Sequence, residues 1–466
     1  MLRRRIAHLD MDAFFASVAL LQYPQLQGLP MVIGGRRMNA TELLADINRR
    51  HVGRPWQEDE LAQIPPALFP RLGDYRGRGV STTATYAARQ FGLASGMGLV
   101  RAAQRCPHAI LLPLDFERYR HYSRRFKEII LAMAPVMEDR GIDEVFIDLS
   151  ALPGVQDDGG QAAARQLQQR IADATGLSCS IGVAPNKLLA KMASEFDKPG
   201  GISLLDEADL QPRIWPLPCA RINGIGPRTD ARLRALGIHR IGELAACDPA
   251  WLIRHFGQRQ GQWLHEAAWG RDERPVANRT EPVSISRETT FERDLHAVQD
   301  RAELGRILTR LAMQTAADLQ RKGYEGRTIG IKLRYADFRI VTRDQSISAP
   351  VHDAVAIRQV AAHCLKRVDL SQRLRLLGIR VSSLRRIGSP GADENAEQPP
   401  WAPPADATEA ARTAMAGLPN MARTSSRPPD EGDEAAARTP LETGPGRRGR
   451  KAAPDTRPPV QGELPF

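Results

Sequence analysis

The composition of the chain changes at residue 386, and this change limits where packed structure can form. Residues 386–460 contain 13 prolines and no regular spacing of apolar side chains. Such a segment cannot bury enough apolar surface to offset the conformational entropy that it would lose on ordering. We therefore expect a disordered linker at 386–460 and a folded body before it. The full length of 466 residues leaves room for three or four domains of roughly 100–200 residues each.

The two parts of the chain also differ in charge. The net charge is +11, and because residues 386–466 carry −2, the body holds +13. A basic body suggests a polyanionic partner such as nucleic acid, since Lys and Arg release condensed counterions when they bind phosphates. No window is long and apolar enough for a membrane span, and the five cysteines lack a CxxC spacing. We therefore expect a cytoplasmic protein with no membrane contact and no disulfide framework.

Strand and helix patterns alternate through the first 206 residues. The expected elements are strands at 4–9, 136–142, 144–149 and 178–184 and helices at 12–21, 161–175 and 186–196. This mixture predicts an α+β domain. Residues 37–77 interrupt the pattern with four prolines, and we interpret them as a surface insertion with a little helix of its own.

Two further units follow within the body. The turn Ile222-Asn-Gly-Ile-Gly226, followed by Pro227, predicts two short helices joined by a glycine hairpin. After residue 283, helices are expected near 302–321 and 353–368. The strands of this unit alternate apolar residues with basic ones, namely Ile329, Ile331, Leu333, Tyr335, Ile379 and Val381 against Lys332, Arg334 and Arg380. One sheet face should therefore pack on helices while the other stays basic.

Two acidic motifs are candidates for chemistry. Asp10 and Asp12 lie where the first strand gives way to a helix, and Asp143 and Glu144 are expected on a sheet. Each motif alone has an ordinary interpretation, because acidic residues often cap helices and adjacent strand residues point to opposite faces. Together they could hold the two Mg²⁺ ions, about 3.5–4 Å apart, that nucleotidyl transfer uses. Composition does not show whether the motifs meet.

Six motifs, in this order, resemble those of the Y-family translesion DNA polymerases, and specifically the bacterial DNA polymerase IV group. They are His8-Leu-Asp10-Met-Asp12-Ala-Phe14-Phe15, the segment 79–92, Gly141-Ile-Asp143-Glu144, Gly182-Val-Ala-Pro-Asn-Lys187, Phe196-Asp-Lys198-Pro199 and Asn223-Gly-Ile-Gly226. The resemblance covers nearly all of residues 1–385. It implies an α+β right-hand polymerase with a palm, small fingers, a helix-hairpin-helix thumb and a C-terminal α/β little finger, followed by the disordered tail.

The resemblance also implies domain boundaries. They are a catalytic palm at 1–12 and 114–206, fingers at 13–113 with the insertion at about 37–77, a thumb at 207–275, a little finger at 283–385, the linker at 386–460 and a sliding-clamp-binding peptide at 461–466.

The same resemblance implies the residues of the active site. Asp10, Asp143 and Glu144, together with the backbone carbonyl of Met11, would hold two Mg²⁺ ions, and Glu144 would be the catalytic residue nearest the primer 3′-hydroxyl. Phe15 matches the steric gate, an aromatic ring in the volume that a ribose 2′-hydroxyl would need.

Other implied positions contact phosphates or partners. Tyr86, Arg89 and Lys198 match residues that bind the incoming triphosphate. Backbone N–H groups at Gly224 and Gly226 would contact DNA phosphates. At the C-terminus, Gln461, Leu464 and Phe466 resemble the peptide that bacterial polymerases insert into the replicative sliding clamp.

The implied activity is template-directed, low-fidelity DNA synthesis by two-metal nucleotidyl transfer past damaged or misaligned template bases, without a proofreading exonuclease. The substrates would be primer–template DNA and dNTPs, and we expect a monomer. One alternative is a catalytically silent DNA-damage scaffold of the same fold, but such relatives lack the carboxylates that this chain keeps. Another is a two-metal nuclease, in which Phe15 and the triphosphate-binding residues would have no role.

Overall fold

The computed structural model, which describes residues 2–278 and 281–389, contains both strands and α-helices. The strands in these ranges are β1 Ile6–Met11, β2 Met31–Arg37, β3 Ser81–Ala84, β4 Ile110–Leu114, β5 Met137–Asp139, β6 Glu144–Asp148, β7 Cys179–Ala184, β8 Ile202–Leu204, β9 Ser284–Leu295, β10 Tyr324–Tyr335, β11 Ile340–Val351 and β12 Leu374–Arg386. The α-helices in the same ranges are α1 Phe14–Gln22, α2 Ala40–Arg50, α3 Tyr86–Arg89, α4 Leu99–Arg105, α5 Phe116–Met133, α6 Val155–Asp158, α7 Gln161–Thr175, α8 Lys187–Ala193, α9 Pro227–Ala235, α10 Ile241–Ala245, α11 Pro249–Phe256, α12 Gln258–Ala268, α13 Arg301–Lys322 and α14 Ala354–Lys366.

Two predictions fall outside the described residues. They are the linker beyond residue 389 and the clamp-binding residues Gln461, Leu464 and Phe466. Within the described ranges, no helix is both long enough and apolar enough to cross a bilayer.

A five-stranded sheet with the order β5-β6-β1-β7-β8 forms the centre of the N-terminal part. β1 pairs antiparallel with both β6 and β7. Its alternate side chains enter different cores: Leu9 packs in the core that includes α5 and α7, whereas Ile6 packs in the core that includes α8. Because strand side chains alternate between faces, His8 and Asp10 lie on the same face as Ile6.

Most predicted elements lie within two residues of their expected bounds, but α8 and β5 each end three residues early. The expected strand at 136–142 stops because Arg140 and Gly141 turn the chain, and the nitrogen of Arg140 donates to the carbonyl of Glu144 at 3.2 Å. The expectation that Asp143 lies on the sheet is therefore wrong. Asp143 occupies the turn immediately before β6.

A second sheet has three strands in the order β3-β2-β4. These strands lie between β1 and β5 in sequence, and the predicted insertion follows β2. The helix expected in the insertion is α2, which begins with a capping box formed by Asn39 and Glu42. Its apolar face is buried in the main N-terminal core through Leu43, Leu44 and Ile47. The insertion is thus packed on the body along one face of a helix.

The helices α9 to α12 share a core with α8 and with Phe146 of β6. α9 begins at Pro227, directly after the predicted glycine turn, and is preceded by a single 3₁₀ turn at Cys219–Arg221. Gly224 has a φ of +113°, and a Cβ atom there would lie 2.7 Å from the ring of Trp263. The turn therefore needs glycine for its backbone conformation and for its packing.

The last unit is a four-stranded sheet with the order β11-β10-β12-β9, covered on one face by α13 and α14. The predicted alternation is confirmed, because Ile329, Ile331 and Leu333 are buried in the helix-covered core while Lys332 and Arg380 are partly or fully exposed on the other face.

The segment 270–278 runs from α12 towards this last unit along the edge of the central sheet. Lys187 at the start of α8 places its Nζ 2.7 Å from Glu138 Oε2 and donates to the carbonyl of Pro275 at 3.0 Å. The same Glu138 oxygen accepts from the backbone nitrogen of Ala277 at 3.1 Å. A buried ion pair thus fixes, on the sheet that carries Asp10, the segment that connects the helices α9–α12 to the four-stranded sheet unit.

Candidate active site

The register of β1 and β6 brings the two acidic motifs together. Asp10 and Glu144 are paired residues on these antiparallel strands, and such pairs have Cβ atoms about 4.5–5.5 Å apart. The nitrogen of Met11 donates to the carbonyl of Asp143 at 3.0 Å, so Asp143 is fixed beside the end of β1. His8, Asp10 and Glu144 each offer one ligand atom within 4.8 Å of the others. Residues distant in sequence therefore share one site.

Two lysines face these carboxylates. Lys198 Nζ lies 3.1 Å from Asp10 Oδ1 and 2.5 Å from Glu195 Oε1. Lys191, on α8, forms an ion pair with Glu144 Oε2. Lys198 was among the predicted site residues, whereas Lys191 was missed. A sequence signal for Lys191 does exist: it follows Lys187 by four residues, so both lie on one side of α8.

His8 is a second residue that the sequence reasoning left without a role. Its side chain is completely buried, with Nδ1 2.8 Å from Ser194 Oγ and Nε2 3.4 Å from Glu144 Oε2. The ring also packs against Phe146 at a centroid distance of 4.8 Å. His8 on β1 thus orients the Glu144 carboxylate, and Lys191 on α8 contacts the same carboxylate.

The carboxyl groups of the site differ in their electrostatic environments. Burial raises the pKa of Asp10, and it also raises the pKa of Asp143, to which the charge of Glu144 adds. The hydrogen bond from His8, followed by the contacts with Lys191, lowers the pKa of Glu144 to about 2 although burial opposes this shift. Burial lowers the pKa of His8.

This donor set fits a divalent cation. Asp10 and Glu144 bring carboxylate oxygens close together, and such oxygens are the ligands that Mg²⁺ prefers. Asp10 and Asp143 bear charges that burial disfavours, and a cation would stabilise those charges. His8 is directed at Glu144 and Ser194, which suits a residue that orients a ligand.

Phe15 lies near the start of α1, which follows β1 after a short turn with Ala13 at a φ of +44°. Its neighbour Phe14 is buried in the core, whereas Phe15 is only partly buried. The Phe15 ring lies 4.4 Å from the ring of Tyr119 and 6.2 Å, edge-on, from that of Phe116, measured between centroids. Aromatic neighbours therefore hold a partly exposed ring, five residues after Asp10 in sequence.

Tyr86 and Arg89 form the two ends of the short helix α3. The Arg89 guanidinium lies 4.6 Å from the centroid of the Tyr86 ring, and its Nε donates to the carbonyl of Ala84 at 3.1 Å. Burial raises the pKa of Tyr86, which also senses the charges of Asp10 and Lys198. Lys198 thus contacts Asp10, Tyr86 lies close enough to sense both charges, and Arg89 stacks on Tyr86.

Asp12 and the hairpin glycines complete the predicted positions. Asp12 is buried and accepts from Ser180 Oγ at 2.7 Å and from the nitrogen of Gly200 at 2.9 Å, so it fixes the loop that carries Lys198. Gly224 and Gly226 lie in the turn before α9, and a Cβ atom at Gly226 would meet no other atom within 4 Å. The backbone at Gly226 is therefore open to close approach by another molecule.

Comparison with known proteins matches three segments of the chain, which include Asp10, Asp143, Glu144 and the hairpin glycines. Residues 9–195 match the impB/mucB/samB family, residues 207–238 match the HHH motif of that family, and residues 282–398 match its C-terminal domain. The DNA polymerase IV of Alkalilimnicola ehrlichii is 36% identical over 387 residues, covering 82% of this chain and 96% of that protein. The DNA polymerase IV of Streptomyces coelicolor is 34% identical over 400 residues, covering 84% and 75%.

Solved structures show the same fold. A Y-family DNA polymerase chimera, Dbh-Dpo4(243-245)-Dbh, superposes with a TM-score of 0.66 at 22% identity and covers 81% of this chain and 98% of its own. An insertion ternary complex of Dbh DNA polymerase gives a TM-score of 0.54 at 22% identity, with coverage of 82% and 99%.

The raised pKa of Asp143 predicts that Asp143→Asn stabilises the metal-free protein at neutral pH. A carboxyl whose pKa is higher in the folded protein than in the unfolded chain costs stability above that pKa, and the cost disappears as the pH falls and the native carboxyl is protonated. We expect a gain on the order of 1 kcal/mol, measured by thermal unfolding in EDTA.

The exposed carboxylate Asp337, in the turn between β10 and β11, provides the control Asp337→Asn. This control should be neutral. Added Mg²⁺ should raise the melting temperature of the native chain more than that of Asp143→Asn, because ligands that bind only the folded state stabilise it. A less stable Asp143→Asn in EDTA would contradict the assigned environment.

Proposed function

The chain belongs to the impB/mucB/samB family of Y-family DNA polymerases and is a DNA-directed DNA polymerase of the translesion type, and from this premise we propose that it extends primers past damaged or misaligned template bases with low fidelity and without proofreading. Its substrates are primer–template DNA and dNTPs, and the chain acts as a monomer. The reaction is a two-metal nucleotidyl transfer with Mg²⁺.

The pairing of Asp10 with Glu144, with Asp143 held beside them, is the observation that carries this proposal. Asp10, Asp143, Glu144 and the carbonyl of Met11 hold the cations. When bound, the Mg²⁺ ions lower the pKa of the attacking 3′-hydroxyl and neutralise the leaving pyrophosphate. A silent scaffold would not need this cluster.

Glu144 is the ligand nearest the primer 3′-hydroxyl. His8 and Lys191 hold its carboxylate from two sides, so its orientation is set before substrate arrives. Its low pKa, about 2, keeps it ionised at neutral pH. Glu144 is therefore ready to bind a cation without first losing a proton.

Lys198, Arg89 and Tyr86 contact the triphosphate. Lys198 already neutralises Asp10, and an arriving triphosphate offers its ammonium a more highly charged partner. Arg89 is held by the Tyr86 ring and by the carbonyl of Ala84, which leaves its terminal nitrogens available for phosphate oxygens. These three side chains bind the β- and γ-phosphates before and during transfer.

The protein binds the duplex through contacts that do not depend on the base sequence. The turn at Gly224 and Gly226 contacts DNA phosphates through backbone N–H groups. The open face of the four-stranded sheet, with Lys332, Arg334 and Arg380, lies along the duplex. In this assignment residues 1–12 and 114–206 are the palm, 13–113 the fingers, 207–275 the thumb and 283–385 the little finger.

The proposed activity predicts primer extension opposite an abasic or otherwise damaged template base in the presence of Mg²⁺. Asp10→Ala should lower the rate by roughly 10³-fold or more, because loss of a metal ligand removes several kcal/mol of transition-state stabilisation. Single-turnover extension by the native chain, Asp10→Ala and the control Asp337→Asn measures this effect. Equal rates for the native chain and Asp10→Ala would refute the metal assignment.

Phe15→Ala should increase ribonucleotide incorporation. Removing the ring opens the volume that a 2′-hydroxyl would occupy, and we expect the preference for dNTPs over rNTPs to fall by roughly 10–100-fold. Competitive single-nucleotide insertion measures the preference, and Phe338→Ala, which removes an exposed phenyl ring from the β10–β11 turn, is the control. An unchanged sugar preference would mean that Phe15 only packs the core.

The C-terminal peptide is proposed to bind the sliding clamp, with Gln461 at the pocket rim and Leu464 and Phe466 in an apolar cleft. A long tether raises the local concentration of the polymerase at the clamp. Removing residues 461–466 should abolish stimulation of synthesis by the clamp and leave clamp-free extension unchanged. Loss of both activities together would show that the peptide has another role.

A further inference from the structure

Two salt bridges cross the open face of the little-finger sheet, and each spans an entire strand. Arg380 Nη2 on β12 lies 2.9 Å from Asp344 Oδ1 on β11, although β10 runs between these strands. Lys332 Nζ on β10 lies 2.8 Å from Glu288 Oε2 on β9, although β12 runs between them. The two bridges therefore lie side by side across the sheet.

A glycine lies beneath each bridge. Gly330 of β10 is paired with Asp344 on one side and with Arg380 on the other. The Asp344 carboxylate occupies the position that a side chain at residue 330 would take.

The second bridge repeats this arrangement. Gly378 of β12 is paired with Lys332 and with Glu288, and a Cβ atom at Gly378 would lie 2.8 Å from Glu288 Cβ. Both bridges thus depend on a missing side chain in the strand that they cross.

These bridges contribute little to stability. The side chains of the four residues are 36–50% exposed, and ion pairs at such positions are worth about 0–1 kcal/mol. Their effect on charge is larger, because they neutralise Arg380 and Lys332, two of the cations of this face. The buried Nε of Arg334, on the same face, has no hydrogen-bond partner within residues 2–278 and 281–389.

We infer that Asp344 and Glu288 compete with DNA phosphates for Arg380 and Lys332, and so weaken the hold of the little finger on duplex DNA. This inference rests on the proposed function, in which this face lies along the duplex. A phosphate can bind either cation only after it displaces the carboxylate. Each displaced pair lowers the gain from counterion release, so the polymerase leaves the duplex more readily.

Removal of either carboxylate should tighten duplex binding. For Asp344→Asn and for Glu288→Gln we expect roughly 3–10-fold higher affinity at low salt and a plot of log K against log salt that is steeper by about 0.9 per additional phosphate contact. Fluorescence anisotropy of a labelled primer–template duplex over a series of salt concentrations measures both quantities. Extension in the presence of trap DNA should show more nucleotides added per binding event.

Glu303→Gln is the matched control for charge. Glu303 pairs with Arg306 at 2.6 Å on α13, which covers the opposite face of the sheet, and this pair is also exposed. The substitution changes the net charge by the same amount without freeing a cation on the open face. Its effect on duplex binding should therefore be much smaller than that of Asp344→Asn.

A double-mutant cycle separates competition from a general change in charge. In an Arg380→Gln background, Asp344→Asn should have no larger effect than Glu303→Gln, because the cation that it would free is absent. The Glu288→Gln and Lys332→Gln pair provides an independent second cycle.

The outcomes separate this inference from the proposed function. If the native chain binds and extends a primer–template duplex but both carboxylate variants behave like Glu303→Gln, the inference is wrong and the proposed function stands. The inference is equally wrong if the gain persists in the Arg380→Gln and Lys332→Gln backgrounds. If the native chain neither binds nor extends the duplex, the proposed function itself fails.

Discussion

The antiparallel pairing of β1 with β6 is the constraint on which the site depends. It places Asp10 opposite Glu144, and because the side chains of a strand alternate, it also fixes which face each residue occupies. A slip of one residue would move Asp10 to the face that contains Leu9 and would bury its carboxylate in the apolar core. Ala7, Leu9 and Met11 fill that core in the observed register, and this disfavours the slip. The packing of the central sheet therefore determines the geometry of the carboxylates.

The gathering of carboxylates has an electrostatic cost that the protein offsets only in part. Glu144 receives a hydrogen bond from His8 and an ion pair from Lys191, and its pKa is low. Asp10 and Asp143 have raised pKa values because burial disfavours their charged forms more than Lys198 favours them. One ligand is thus fixed and ionised before any cation binds, while the other two gain most from the cation. This division suits a site whose buried charges are balanced by a bound cation.

The sequence predicted the fold well where apolar periodicity was long, as in α7, α13 and β10, because burial on one face fixes those elements. It failed at Asp143, where a turn at Gly141 shortens the strand for reasons of local backbone geometry that periodicity does not contain. The sequence motifs identified Asp10 and Glu144 as site residues but gave no role to His8 and Lys191. The contacts of His8 and Lys191 depend on how α8 packs against β1. Such contacts are tertiary, and no spacing along the chain records them.

The charge of the body illustrates the same limit. The surplus of basic residues predicts a polyanionic partner. The formal net charge, however, does not show how many of the basic side chains are available to bind that partner. On the little-finger sheet, pairing across Gly330 and Gly378 turns two cations into neutral pairs. A glycine in the middle of a strand weakens that strand. Gly330 and Gly378 are therefore better explained by the space that they leave for the salt bridges than by a contribution to strand stability. Under the proposed function, competition between carboxylates and phosphates sets the affinity of this face for a duplex, and two carboxylates tune it without any change in the fold.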